Sequence, residues 1–199
     1  MPERPRVVVA RRLPVAGVEL LERQFDVDAG ELELDRDGLL GRVRGAAAIV
    51  ADPTVPVDGE LLEAAGSSLR VVANFAVGYD NVDLAAARAR GVAVTNTPDV
   101  LTNATAELTV ALMLAAARRL GEAERMLRAG RWQGWDPAGL LGRELSHSTI
   151  GIVGLGRIGT RVAELLRGFA PGEHADPSLL YASHSAKPEL EARLGLRRP

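Results

Sequence analysis

The chain has 199 residues, 47% of them hydrophobic, with 24 basic and 26 acidic side chains and a formal charge of −2. That length can bury one large core or two modest ones. The interspersed charge creates no field suited to a nucleic-acid backbone, so no nucleic-acid partner is expected. The absence of cysteine excludes a disulfide framework and thiolate metal sites, and no apolar run approaches the roughly 20 residues that span a bilayer. A soluble, cytoplasmic protein is expected, with neither a membrane nor a metal partner.

From Arg6 onward, short β-branched runs alternate with longer Ala/Leu/Arg/Glu stretches, the pattern of parallel strands joined by crossover helices. Strands are predicted at Val7–Ala10, Ala47–Ala51, Val71–Ala73 and Val92–Thr95. Between them, Val15–Arg23, Gly59–Ala65 and Leu84–Arg90 carry apolar residues at three-and-four spacing and read as helices. Asp83 stands where an N-cap belongs, and Gly91 where a helix stops. A first lobe of residues 1–96 follows.

Thr97-Pro98-Asp99-Val100 breaks this pattern, because proline drives its predecessor toward extended geometry. An Ala/Leu-rich helix is predicted from Thr102 to Leu120, closed by Arg118 and Arg119, and a second one around Glu122–Ala129. The loop Arg131-Trp132-Gln133-Gly134-Trp135 has no periodicity, and the β pattern resumes at Thr149. Residues 97–199 form the second lobe, and neither an internal repeat nor a low-complexity segment is present.

There the strand Thr149–Val153 runs straight into Gly154-Leu155-Gly156-Arg157-Ile158-Gly159, and the amphipathic stretch Thr160–Arg167 follows. Glycines at this spacing are weak evidence alone; between a strand and a helix they read as a dinucleotide-binding turn. Gly154 permits the tight turn, Gly156 the approach of backbone to pyrophosphate, and Gly159 close helix–strand packing, with Leu155, Arg157 and Ile158 sharing the contact. Free amides and the positive end of the helix dipole suit phosphate. The bland alternative is a strand–helix turn with no ligand.

An acid about 20 residues later normally holds the adenosine ribose. Glu173 and Asp176 lie at that distance, but both precede the next apolar run, Leu179-Leu180-Tyr181-Ala182, so neither stands at a strand end. That end is Ser183-His184-Ser185, with Lys187 nearby, which would tolerate a 2′-phosphate. The cofactor is therefore NAD or NADP, with a lean to NADP; a solvated polar turn is the alternative.

Ala76–Asp83, Thr95–Thr102, Ala106-Glu107-Leu108 and the glycine turn together resemble the D-isomer-specific 2-hydroxyacid dehydrogenases, glyoxylate/hydroxypyruvate reductase-like. The resemblance implies a flavodoxin-like substrate lobe followed by an incomplete Rossmann-like cofactor lobe, an α/β architecture. It implies that the backbone amides of Val77 and Gly78 bind a 2-oxo acid's carboxylate, which a strand-to-helix turn with an approachable glycine allows. It places Thr102 beside the nicotinamide, a role compatible with capping the helix that follows. That helix resembles one in the family's homodimer interface, and ordinary intramolecular core is the alternative.

The reaction implied is hydride transfer to a short 2-oxo acid such as glyoxylate or hydroxypyruvate, with a histidine oriented by a glutamate and an arginine from the later half of the cofactor lobe. The 199 residues stop before those segments, so no catalytic residue is carried over, and little activity and a tendency to associate are expected. His147 precedes the strand leading to the turn, His174 sits in an unpatterned segment, and His184 belongs to the adenosine end. A non-enzymatic dinucleotide-binding or interaction protein of the same fold is the alternative reading. The stretch Phe169–Ser178 is longer than the short turn of the family and carries two prolines, which is expected to disturb the second strand of the cofactor lobe.

Overall fold

A computed structural model describes residues 4–31, 35–146, 148–169 and 178–199. The chain divides into two units, residues 1–100 and 101–199.

The first unit is a five-stranded sheet. Its strands are β1 (Arg6–Val9), β2 (Asp26–Asp28), β3 (Ala48–Ala51), β4 (Val71–Asn74) and β5 (Ala93–Thr95). All its pairings are parallel and the spatial order is β2-β1-β3-β4-β5. This is the flavodoxin-like order, in which the chain reverses its direction of travel between β1 and β3. Helices α1 (Val15–Glu22), α2 (Arg36–Arg42), α3 (Gly59–Ala65) and α4 (Leu84–Ala89) supply the crossovers. Val8, Ile49, Val72, Leu39, Leu61 and Leu62 fill the core between sheet and helices.

Local signals account for several boundaries. Asp58 caps α3 by accepting from the Leu61 amide at 3.0 Å, and Asp83 caps α4 by accepting from the Ala86 amide at 2.8 Å. Gly91, at φ 66°, ends α4 in the left-handed conformation that β-carbons disfavour. Asp83 and Gly91 thus have the roles read from the sequence.

Strand β2 and helix α2 were not expected. Strand β2 is the three-residue Asp-Val-Asp, and α2 contains two glycines, so neither has local propensity in its favour. They are tied together by tertiary charge. Arg42 on α2 donates to Asp28 Oδ1 through Nη2 at 2.7 Å and through Nε at 3.0 Å, and to the Val9 carbonyl at 3.1 Å. Arg6 of β1 donates to Asp28 Oδ2 at 2.7 Å.

The second unit contains α5 (Thr102–Ala117), α6 (Leu120–Arg128), β6 (Thr149–Val153), α7 (Arg157–Arg167), β7 (Ser178–Ala182) and α8 (Pro188–Leu194). The helix expected to run to Leu120 stops at Ala117, because Arg119 takes a left-handed conformation (φ 55°) that breaks the ladder before α6. Strands β6 and β7 pair in parallel from Thr149 opposite Ser178 to Val153 opposite Ala182. The second strand therefore forms despite the long preceding interval, since its apolar alternation buries Leu179 and Tyr181 against Leu166 and Leu194. Glu173, His174 and Asp176 lie outside the described residues, as does His147.

The tail adds to the outer edge of β7: Leu180 bridges Arg197 in parallel, with Arg197 donating to Leu179 and accepting from Tyr181 at 2.9 and 3.0 Å. Strand β6 has β7 as its one neighbour among the described residues, and Val153 is 92% exposed. A groove of ≈ 390 Å³ runs along this open side, lined by Thr109 and Met113 of α5, Ile152 and Ile158 among others.

Burial opposes the charge on Asp28, but the hydrogen bonds and charge of Arg42, with those of Arg6, hold its carboxyl below the ordinary 3.8. A lowered carboxyl stabilises the fold above its ordinary value, and that contribution is lost as pH falls through the lowered one. Asp28→Asn should therefore lower the Tm at pH 7, with the gap to wild type closing below pH 3.8 in thermal melts across a pH series.

Candidate functional site

The turn after β6 shows what requires the first and third glycines. Gly154 has φ 91° and its amide still donates to the Ala182 carbonyl at 2.8 Å, so the chain turns while paired to β7. Leu155, 3% exposed, pins the turn into the core of the second unit. Gly156 is the N-cap of α7, with open space where a β-carbon would project. A β-carbon at Gly159 would collide with the Gly154 carbonyl oxygen and meet Ile152 Cγ2 at 3.4 Å. The helix therefore rests directly on the end of the strand.

The first hydrogen bond entering α7 from the turn runs from the Thr160 amide to the Gly156 carbonyl at 2.9 Å. Earlier amides have no acceptor inside the helix, and the exposed Arg157 stands at its positive end. Such an arrangement suits a pyrophosphate, which the backbone of Gly154–Gly159 could hold.

Register fixes where the residues after β7 emerge. Because Ala182 lies opposite Val153, the residues after it leave the sheet beside the glycine turn. Ser183 is half-buried there, while His184 and Ser185 are exposed. Tyr181 shapes this turn: its hydroxyl donates to Glu191 Oε1 at 2.5 Å and accepts from the Lys187 amide at 2.8 Å. The Glu191 carboxylate beside it pushes the Tyr181 phenol up from its ordinary value.

Thr102 is the first residue of α5; the cap position falls to Leu101, and no side chain caps this helix. The capping role anticipated for Thr102 is thus not taken up. Its neighbour Asn103 accepts from Arg161 Nε on α7 at 2.9 Å, which fixes the start of α5 against the early turns of α7. Arg161 also donates to Glu164, on which Arg193 converges, and the Arg161 hydrogen bond leads in lowering the Glu164 carboxyl.

In the first unit, Val77 and Gly78 lie in the loop after β4. Three successive carbonyls here face the protein: Ala76 accepts from the Thr97 amide at 2.8 Å, Val77 from Asn96 Nδ2 at 2.8 Å, and Gly78 from Asn74 Nδ2 at 2.9 Å. In a trans peptide the N–H points opposite the carbonyl. The amides of Val77, Gly78 and Tyr79 are thereby turned to the other side, where Gly78 and Tyr79 are exposed. Successive N–H groups presented this way make an anion-binding concavity.

The scaffold behind the loop was missed by sequence reasoning. Asn74, 1% exposed, pairs with Asn81, whose Nδ2 also donates to the carbonyls of Asp52 and Val55 at 3.0 and 2.9 Å. The available signal was three asparagines flanking one glycine-containing turn, since buried amides must be satisfied.

No group of three or more His, Cys, Asp or Glu among the described residues could hold a metal. Among them, no helix is long and apolar enough to cross a membrane.

The sequence model of the D-isomer specific 2-hydroxyacid dehydrogenase catalytic domain matches residues 7–193. The chain belongs to this family. It is 46% identical over 198 residues to a glyoxylate reductase of Thermococcus kodakarensis, covering 96% of this chain and 57% of that protein. A glyoxylate reductase of Thermococcus onnurineus is 43% identical with the same coverage. The chain thus spans under three fifths of the length of these curated relatives. Among solved structures, a protein from Thermus thermophilus superposes with a TM-score of 0.87 at 40% identity, covering 98% of this chain and 59% of that one. The NADPH-dependent glyoxylate/hydroxypyruvate reductase of Sinorhizobium meliloti, solved with NADP and malonate, gives 0.78 at 34%, covering 99% and 57%.

Two substitutions test this geometry. Gly159→Ala should displace α7 from β6 and weaken dinucleotide binding at least about tenfold, read by fluorescence titration. Asn81→Ala strands the Val55 carbonyl and the side-chain oxygen of the buried Asn74 and should cost about 2–3 kcal/mol, read by denaturant unfolding.

Proposed function

We propose that this chain supplies the substrate-binding lobe (residues 1–96) and the first part of the dinucleotide-binding lobe (residues 97–199) of an NAD(P)-dependent D-2-hydroxyacid dehydrogenase. The observation that carries the reading is the turn at Gly154–Gly159, where a β-carbon at the third glycine would strike the carbonyl of the first. The backbone of this turn, including Leu155, Arg157 and Ile158, holds the pyrophosphate, and Thr102 stands toward the nicotinamide. The amides of Val77 and Gly78 hold the carboxylate of a short 2-oxo acid, glyoxylate or hydroxypyruvate. When bound, the reduced nicotinamide supplies the hydride for the substrate carbonyl.

Ser183, His184 and Ser185 present hydroxyls and an imidazole in place of a carboxylate, which supports NADP over NAD. The proton donor and the substrate-polarising cation that the family resemblance implies are assigned to no residue of this chain. The only histidine among the described residues, His184, is exposed at the adenosine end.

Helix α5 is apolar on nearly every side; Ala106 and Val110 are buried while Leu108 and Leu112 are exposed. We infer that this outer face packs on a second copy in the full-length protein.

Titrating the 199-residue chain with NADPH and NADH, and following reduction of glyoxylate and hydroxypyruvate at 340 nm, tests the proposal. Binding with turnover at background is the expected result. Failure to bind either nucleotide overturns the cofactor assignment, and robust turnover overturns the placement of the acid and cation elsewhere.

A further inference from the structure

The end of β7 offers no carboxylate for a ribose diol, and the structure brings a cation there from a distant part of the sequence. Leu196 is buried, and Arg197 hydrogen-bonds on both sides to Leu179 and Tyr181, so the tail runs alongside β7 as a short added strand. One residue further, Arg198 Nη2 donates to the Ser183 carbonyl at 3.3 Å. The guanidinium is thereby held against the first residue after β7, beside the turn at Gly154. That bond uses one of its five N–H donors, in a planar fork suited to phosphate oxygens.

The surrounding turn is fixed rather than loose. The buried Tyr181 hydroxyl takes the Lys187 amide and holds the Glu191 carboxylate, so residues 183–187 fold back over the strand end with Lys187 among them. The Glu191 charge, which would repel an anion, is engaged by that hydroxyl. Ser183, His184, Ser185 and Lys187 all belong to this turn, and the Arg198 guanidinium reaches its first residue.

We infer that Arg198 is a specificity-determining residue, reading the 2′-phosphate of NADP(H) together with the turn Ser183–Lys187. The inference rests on the dinucleotide reading of the Gly154–Gly159 turn. It assigns to a residue 15 positions beyond Ser183 the discrimination usually sought immediately after the second strand.

The test uses the 199-residue chain and two probes, adenosine 2′,5′-bisphosphate and 5′-AMP, by calorimetric titration, alongside NADPH and NADH. The wild-type chain should bind the bisphosphate at least about tenfold more tightly than 5′-AMP, the scale of one charge-assisted hydrogen bond. Arg198→Ala should remove most of that preference while leaving 5′-AMP affinity within about twofold, and Arg198→Lys should restore part of it. A preference unchanged in Arg198→Ala, or absent from the wild type, overturns the assignment while leaving the dinucleotide site standing. Equal loss of both probes in Arg198→Ala marks a merely structural arginine and also overturns it. Absence of binding by all four nucleotides in the wild type overturns the dinucleotide reading and this inference with it.

Discussion

The second unit is organised by one steric fact: helix α7 sits so close to the end of β6 that a hydrogen, and no β-carbon, fits between Gly159 and the Gly154 carbonyl. That approach sets the axis of α7, and hence where Val162, Ala163 and Leu166 meet the core formed with α5 and β7. The first-turn amides of the helix, which have no partner inside it, start at the strand end, where Gly156 and Arg157 are exposed. Close packing, which the missing side chain allows, and the free donors common to every helix start thus meet at one turn.

The first unit reaches a comparable end by a different device. Its loop after β4 is positioned by side-chain amides: Asn74 and Asn96 occupy inward-facing carbonyls while Asn81 braces Asn74, and the peptide planes then fix which way the N–H groups point. In one unit glycine clears space for the backbone; in the other asparagine orients it. Both solutions place peptide donors just past the carboxyl ends of parallel strands, where crossover topology opens a crevice.

Much of this was legible because it is local. The cap at Asp83, the stop at Gly91, the strands at Val7, Val71 and Thr149 and the glycine turn each carry their signal within a few residues. What was illegible depends on residues far apart in sequence. Strand β2 is held through Asp28 by Arg6 and Arg42, Arg119 takes a backbone conformation that its residue type does not announce, and the Asn74–Asn81 pair gains its meaning only when the loop is folded. Arg198 reaches Ser183 because the tail lies along β7, which no periodicity in its few residues could reveal.

The donors of the loop at Val77–Tyr79 belong to the main chain, and this bears on how such a protein can diverge. A peptide N–H is common to every residue except proline, so changes at positions 77 and 79 can alter the surroundings of these donors without abolishing them. The asparagines behind the loop have no such latitude, because each satisfies particular carbonyls. A side-chain change at the front of this loop therefore leaves its peptide donors in place, whereas a change at the asparagines behind it removes the partners that orient them.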